Sequence, residues 1–308
     1  LNRLYPGKQA EFAKLLQRQT AAAPGDERQA SKRLGERAAA AALERGQRLD
    51  EAPAEPYRRL VEPGVYIGGE VPSLILDFDP RLVPWVLDTA AETRIPPPPP
   101  LTSAAYARDL NEVRALGTHN DEARSEEQSE TAKFWFLIDL NPVLREIAAE
   151  PERTLADNAR LYAMFYMATD DGWFAAAVAK TRYQFWRPVT AIRNADRDDN
   201  PGTARDPYWL PYLASPAHPE YPCAHCVQAA AQAEVLKAET ADPAHRFAIR
   251  SSTLPGADPR VVTLADYVTQ TSLSRVYAGA HYGFSNRAGE QLGRRLGRRV
   301  LERWARAK

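Results

Sequence analysis

Three short clusters of cationic and histidine side chains, far apart in the chain, constrain most strongly how this protein can fold. The first is KTRYQFWRP at residues 180–188, and the second is PCAH at residues 222–225. The third begins with Ser274-Arg275 and reaches His281 after five further residues. About 100 residues separate the first cluster from the last. A fold that uses all three in one site must bring these remote segments together.

The combined side chains of the clusters suit a tetrahedral or trigonal oxoanion such as phosphate or vanadate. Arginine offers a planar fork of donors, and lysine offers a point charge. One imidazole can bond to the central atom of the anion while another moves a proton. We therefore predict that one pocket is formed by Lys180, Arg187, His225, Arg275 and His281.

The spacing of these residues predicts how helices would present them. Lys180 and Arg187 are seven positions apart, or two helical turns, so they point to nearly the same side of a helix. Arg275 and His281 are six positions apart. A straight helix would place them about 240° around its axis from each other. We therefore predict either that the helix breaks between them, as Gly279 and Gly283 permit, or that the ligand lies between two segments.

The PCAH cluster is predicted to lie at a helix N-terminus, where free backbone N–H groups and the helix dipole favour an anion. Its cysteine forms a C-x-x-C motif with Cys226, which taken alone is typical of a redox or metal site. The surrounding pattern is helical, however, and zinc would need two more ligands. Two cysteines are also too few for a disulfide framework. We interpret the pair as two thiols packed at the start of a helix.

In order and spacing, the three clusters resemble the signature of the type 2 phosphatidic acid phosphatase and vanadium haloperoxidase superfamily, K-x6-R-P, P-S-G-H and S-R-x5-H-x3-D. The first part is complete here. In the second part, Cys223 and Ala224 replace Ser and Gly, and Ser285 stands at the acidic position of the third. The flanking sequences FWRPVTAIR and HPEYP are similar to the soluble haloperoxidase-type branch. The resemblance covers roughly residues 105–305.

The resemblance implies an all-α fold, a helical bundle of the vanadium haloperoxidase and acid phosphatase type. It implies that His281 bonds the vanadium or attacks phosphorus, and that His225 is the acid-base group. It implies cofactor-binding roles for Lys180, Arg187, His218, Cys223, Ala224 and Arg275. Cys223 would donate only a weak S–H hydrogen bond where the family has a serine hydroxyl. Ser285 or Asn286 would accept the second ring N–H of His281.

Three functions remain open from the sequence. The first is vanadate-dependent oxidation of halide by hydrogen peroxide, with vanadate as cofactor and small-molecule partners. The second is a soluble acid phosphatase, in which His281 would form a phosphohistidine and His225 would protonate the leaving oxygen. The third is a repurposed member that binds an oxoanion or small metabolite without oxidising halide. The replacements at Cys223, Ala224 and Ser285 motivate it.

We predict N-terminal helices and a Pro-rich extended segment over residues 1–100, and a haloperoxidase-like helical catalytic domain over residues 101–308. A short strand is predicted at 65–67, and the proline run at 96–100 is expected to wrap a surface. Helical patterns are predicted at 8–19, 31–48, 102–117, 121–138, from 141, 154–184, 223–237, 264–277 and 286–305.

Composition excludes several partners. Lys plus Arg equals Asp plus Glu, at 40 each, so we expect no general attraction to nucleic acid or acidic membranes. No apolar run reaches the roughly 18–20 residues of a membrane span. No signal peptide is visible, although the first residue is Leu. We expect a soluble protein, periplasmic or secreted if a leader has been removed. The sequence leaves a homo-oligomer open.

Overall fold

The structure is a computed structural model, and it describes residues 2–21, 24–50, 61–68, 84–87, 90–120, 123–240, 242 and 244–305. The chain divides into two compact units, Leu1–Pro53 and Ala54–Lys308. Val86 and Ile95 are buried in the core of the second unit. A functional division of the chain near residue 100 stays a prediction.

The first unit contains two helices. A single 3-10 turn at Pro6–Lys8 leads into α1 (Gln9–Gln19), and α2 follows at Gly25–Asp50. Both predicted N-terminal helices are confirmed. Helix α2 begins six residues earlier than predicted, and its first turn carries Asp26 and Glu27, whose negative charges favour a helix start.

The second unit is a helical bundle, which confirms the predicted fold class. Its helices are α3 (Ala104–Leu116), α4 (Glu126–Phe134), α5 (Asn141–Ala148), α6 (Leu155–Tyr183), α7 (Pro188–Arg193), α8 (Ala224–Glu239), α9 (Leu264–Tyr277) and α10 (Gly283–Ala305). A small antiparallel hairpin, which the sequence did not predict, pairs β1 (Phe247–Ile249) with β2 (Arg260–Val262). In its register, Phe247 faces Val262.

Side-chain caps decide where several helices begin. Ser103 caps α3 by accepting the N–H of Tyr106. Helix α4 is shorter than the predicted 121–138. It begins after Ser125, where a capping box with Gln128 satisfies the first free N–H groups, and it ends at Phe134.

The extended segments lie along the bundle. The strand predicted at 65–67 is wrong, since Val65 forms only one isolated bridge, with Phe185. The proline run has no regular secondary structure. The hydroxyl of Tyr221 donates to the carbonyl oxygen of Pro96 at 2.8 Å, and that of Tyr183 donates to the carbonyl oxygen of Ile95 at 2.6 Å. The residues at the start of the run therefore wrap the bundle surface, as expected.

The close approach of α8 and α10 positions the start of α8. A methyl group added at Gly293 would collide with the backbone oxygen of Val227, and one at Gly289 would lie 2.6 Å from that of Cys223. These glycines let the two helices pack backbone against backbone. Helix α6 packs on the same pair. The N-terminus of α8 is thus held in the core, next to the end of α6.

Candidate active site

Lys180 lies in the last turn of α6 and is fully buried. Its Nζ donates to the carbonyl oxygens of Pro219 and Glu220, at 2.8 and 2.7 Å. Burial, and next the positive charge of Arg187, lower the pKa of Lys180 well below its usual value. The side chain therefore ties the end of α6 to the segment before α8.

Arg187, at the N-cap of α7, connects the first cluster to the third. Its Nε donates to the carbonyl oxygen of His218 at 2.9 Å, and its Nη1 donates to that of Ala280 at 2.8 Å. Nη1 also lies 3.1 Å from Nε2 of His281. Burial lowers the pKa of Arg187 to about 10, so the guanidinium remains charged at neutral pH.

The predicted break between Arg275 and His281 is confirmed. Helix α9 ends just before Gly279, whose φ of 75° lies in the left-handed region. A methyl group at this position would collide with the backbone oxygen of Gly117. The N–H of His281 donates to the carbonyl oxygen of Arg275 at 3.2 Å. Both side chains are buried, at 2% and 1% exposure.

Glu220 is a site residue that the sequence analysis missed. Its Oε1 lies 2.7 Å from Nδ1 of His281 and also accepts the backbone N–H of Tyr282 at 3.2 Å. The carboxyl group has no solvent exposure. The available signal was a lone acidic residue between two prolines, directly before the PCAH cluster.

The predicted partners of the His281 ring N–H, Ser285 or Asn286, are wrong. Asn286 instead donates from Nδ2 to the carbonyl oxygen of Ser272 at 2.7 Å. The Ser285 hydroxyl lies beside Glu220 and lowers the pKa of that carboxyl. Even so, Ser285 Oγ and Glu220 Oε2 make no hydrogen bond of good geometry within the described residues. The partner comes from another segment, since Oε1 of Glu220 lies 2.7 Å from Nδ1 of His281.

The electrostatics of the Glu220–His281 pair indicate which ring nitrogen of His281 carries the proton. Burial raises the pKa of Glu220 to about 7, with Lys180 and Arg187 acting in the opposite direction. Burial and then these same two cations lower the pKa of His281 well below its usual value. We infer a neutral imidazole whose Nδ1–H donates to the Glu220 carboxylate. The lone pair on Nε2 then accepts from Arg187 and is the atom that can bond to a ligand.

Replacing Glu220 with Gln should weaken oxoanion binding, because a neutral amide supports the basicity of Nε2 less than a carboxylate does. We expect a vanadate affinity about 10–100-fold lower, the range found when such supporting partners are lost. Calorimetric titration of vanadate would measure it. Glu239→Gln is the matched control, since Glu239 is another buried carboxylate but pairs with Arg153. Equal affinity of E220Q and the wild type would contradict the assignment.

The PCAH cluster opens α8 as predicted, but the interpretation of its cysteines as two free thiols is wrong. Cys223 and Cys226 form a disulfide, so Cys223 has no S–H to donate. Cys223 is the N-cap of α8, and its Sγ accepts the N–H of Cys226 at 3.2 Å. The backbone N–H groups of Ala224 and His225 have no acceptor in the part of the chain that the structure describes. These two donors are available to an anion.

His225 is partly exposed and lines a surface cavity. Its Nε2 lies 3.1 Å from the carbonyl oxygen of Phe136, which can only accept. Nε2 therefore carries the proton, and Nδ1 has a free lone pair. Burial and then Arg275 lower the pKa of His225 to about 3, so the ring is neutral at neutral pH without a bound anion.

This lowered pKa predicts a loss of stability in acid. The unfolded chain takes up a proton near pH 6.5, whereas folded His225 resists protonation down to about pH 3. Stability should therefore fall as the pH decreases through this window. Between pH 7 and 5 the contribution of His225 is at most about 2 kcal/mol. Urea unfolding of the wild type and His225→Gln at both pH values would measure it. The variant should lose less stability, and equal losses would contradict the assignment.

The remaining two predicted site residues, Arg275 and His218, lie close to the residues described above. Arg275 donates from Nε to Ser274 Oγ at 3.2 Å, and it lowers the pKa of His225. His218 places Nδ1 2.9 Å from Nη2 of Arg187, and burial followed by the positive charge of Lys180 lowers its pKa. The structure thus brings the three clusters together, while the roles of the individual residues stay predictions.

The arrangement fits an oxoanion better than a metal cation. Lys180, Arg187 and Arg275 are buried basic side chains, and buried Glu220 interacts with the first two of them. Such an excess of buried basic groups is costly unless a ligand compensates it. The two free N–H groups at the start of α8 add to the donors. The described residues contain no group of three or more His, Cys, Asp or Glu that could hold a metal ion.

None of the helices in the described residues has the length and hydropathy that a bilayer crossing requires.

Comparisons with known proteins place the fold among helical relatives. Residues 160–307 match the family model of the VCPO second helical-bundle domain. Vanadium chloroperoxidase from Curvularia inaequalis is 31% identical over an alignment of 104 residues, which covers 28% of this chain and 16% of that protein.

Two solved structures share the fold. A bacterial vanadium-dependent iodoperoxidase superposes with a TM-score of 0.65 at 25% identity, over 83% of this chain and 63% of that one. A holo-type bacterial vanadium-dependent chloroperoxidase superposes with a TM-score of 0.63 at 19% identity, over 83% and 65%. The chain thus spans less than two thirds of the length of each of these relatives.

The fold is the helical bundle of the vanadium haloperoxidases. Residues 160–307, which match the VCPO second helical-bundle domain, contain all three clusters. The resemblance noted in the sequence is thereby confirmed.

Proposed function

We propose that this chain is a vanadate-dependent haloperoxidase, which oxidises halide with hydrogen peroxide. The observation that carries the proposal is the position of buried His281, whose Nδ1 lies 2.7 Å from Glu220 and whose Nε2 faces the guanidinium of Arg187. Nε2 would bond the vanadium. Lys180, Arg187 and Arg275 would bind its oxygens, and so would the N–H groups at the start of α8.

Vanadate, when bound, would supply a Lewis acid that activates peroxide toward halide. Glu220 keeps the proton on Nδ1 of His281, so that Nε2 stays unprotonated. Nη1 of Arg187 lies 3.1 Å from Nε2 of His281, and it would turn toward the anion when the anion binds. The buried cations would stabilise the negative charge that develops on the oxygens in the transition state.

His225 would handle the proton that the reaction requires. Halide, peroxide and one proton give hypohalous acid and water, so the site needs a proton donor. The negative charge of a bound oxoanion would raise the pKa of His225 from its value of about 3. The imidazole could then take up a proton and deliver it during turnover.

The same geometry supports one alternative, a soluble acid phosphatase. A neutral, carboxylate-backed Nε2 is also a nucleophile for phosphorus, and the cations would bind phosphate as they bind vanadate. A parallel assay separates the two: bromide oxidation by peroxide with added vanadate, and hydrolysis of p-nitrophenyl phosphate without it. We expect the first activity. Hydrolysis alone would favour the phosphatase, and neither activity, with no vanadate binding, would favour a repurposed protein.

Cys223→Ser should strengthen vanadate binding. The disulfide sulfur cannot donate a hydrogen bond, whereas a serine hydroxyl at the N-cap can donate to an oxoanion. A hydrogen bond to a charged group adds roughly 1.5–3 kcal/mol, or about tenfold to a hundredfold in affinity. Cys226→Ser is the matched control, since it also breaks the disulfide but adds no hydroxyl at position 223. Unchanged or weaker binding by C223S would mean that residue 223 does not face the anion.

A further inference from the structure

A cavity of about 710 Å³ lies along α6, and His225, a residue of the proposed oxoanion site, is part of its wall. Its volume falls within the range of small-molecule sites, roughly 300–1,000 Å³. The residues of its wall that matter here are Trp85, Tyr166, Met167, Trp173, His225 and Gln228. A molecule bound in it would touch the histidine that we propose moves the proton.

The wall is built from aromatic rings that face solvent. Trp85, Tyr166 and Trp173 are 37%, 47% and 38% exposed, which is unusual for three large rings on one cavity. Two of them are held in place. The indole N–H of Trp85 donates to Asp170 at 2.6 Å, and the hydroxyl of Tyr166 donates to Asn141 at 2.8 Å. Preformed aromatic surfaces of this kind stack on flat rings.

His225 and Gln228 contribute polar groups to the cavity wall. His225 Nδ1 carries a free lone pair, because Nε2 holds the proton. The side-chain amide of Gln228, one helical turn further along α8, makes no hydrogen bond within the described ranges. One acceptor nitrogen and one free amide thus line a mainly apolar cavity, to which Thr169 and Asp170 add polar groups.

We propose that this cavity binds a flat aromatic molecule with one O–H or N–H donor, of the phenol or indole class. Its ring would lie against the aromatic wall, and its donor would point to His225 and Gln228. Binding does not depend on the proposed function, but the claim that this molecule is the halogenated substrate rests on it.

The halogenation step balances with the product of the proposed reaction. Hypohalous acid transfers its halogen to a ring carbon while its O–halogen bond breaks. The hydroxide that leaves takes up the ring proton, so the products are a halogenated ring and water. The ring is oxidised by two electrons, and the halogen is reduced. A ring held beside His225 would meet the oxidant where it forms.

The test is binding of indole to the whole chain without vanadate, measured by calorimetry or ligand-observed NMR. We expect Trp173→Ala to weaken indole binding about tenfold, since loss of a stacking ring has an effect of this order. Tyr208→Ala is the matched control, because Tyr208 is 88% exposed and lies outside the cavity wall. Failure of the wild type to bind indole, or equal effects of the two variants, would overturn the proposal.

A second comparison changes the ligand. N-methylindole has the same ring system but no N–H donor, so the wild type should bind it several-fold more weakly than indole. In Gln228→Leu this preference should shrink. Equal affinities of the wild type for the two ligands would overturn the donor assignment. Halide oxidation is assayed separately. Oxidation without indole binding would contradict the cavity proposal alone. Indole binding without halide oxidation would contradict the proposed function alone.

Discussion

His281→Ala is expected to abolish vanadate-dependent halide oxidation and to remove tight vanadate binding. Among the described residues around the site, Nε2 of His281 is the one neutral nitrogen with a carboxylate partner behind its ring. The cations can still attract the anion, but they cannot form a bond to its central atom. Vanadium NMR and calorimetry would measure binding, and bromide oxidation would measure turnover.

The matched control for this variant is His245→Ala. His245 is exposed and also pairs with a glutamate, with its Nε2 2.8 Å from Oε1 of Glu146. Because removal of His281 leaves Glu220 buried without its partner, thermal unfolding of H281A must be recorded, and His281→Asn retains a polar group there. A folded H281A or H281N protein with wild-type turnover would end the proposed mechanism.

His225→Ala should reduce turnover by about 10²–10⁴-fold while leaving vanadate affinity nearly unchanged. The side chain would move a proton rather than hold the anion, and the backbone N–H at position 225 survives the substitution. The pH profile of turnover should also lose the limb that reports on this imidazole. A purely structural role would not change that limb.

Measurements of kcat and of vanadate affinity on H225A would separate these effects. His119→Ala is the control, since His119 is an exposed histidine outside the cluster. A large loss of vanadate affinity in H225A would show that the imidazole itself helps to hold the anion. Full turnover in H225A would remove His225 from the mechanism.

The sequence was sufficient to predict most helices and the set of converging side chains. Ser103, Thr154 and Thr263 start helices through local hydrogen bonds to residues three positions later, which a sequence displays directly. The spacing of Lys180 and Arg187, and the glycine after α9, are local features of the same kind. Helix lengths were less predictable, as α4 shows, because a capping box competes with a longer apolar pattern.

Sequence by itself determined the fold class and the cationic and histidine composition of the site, since periodicity, caps and motif order are properties of neighbouring residues. Only the tertiary structure decided that Glu220 holds His281, because 61 positions separate two side chains that the turn at Gly279 places 2.7 Å apart. It also decided that His225 borders an aromatic cavity, since Trp85 and α6 reach that wall from distant parts of the chain. Partner choice in a buried site depends on which segments pack together, and that is set by the whole core.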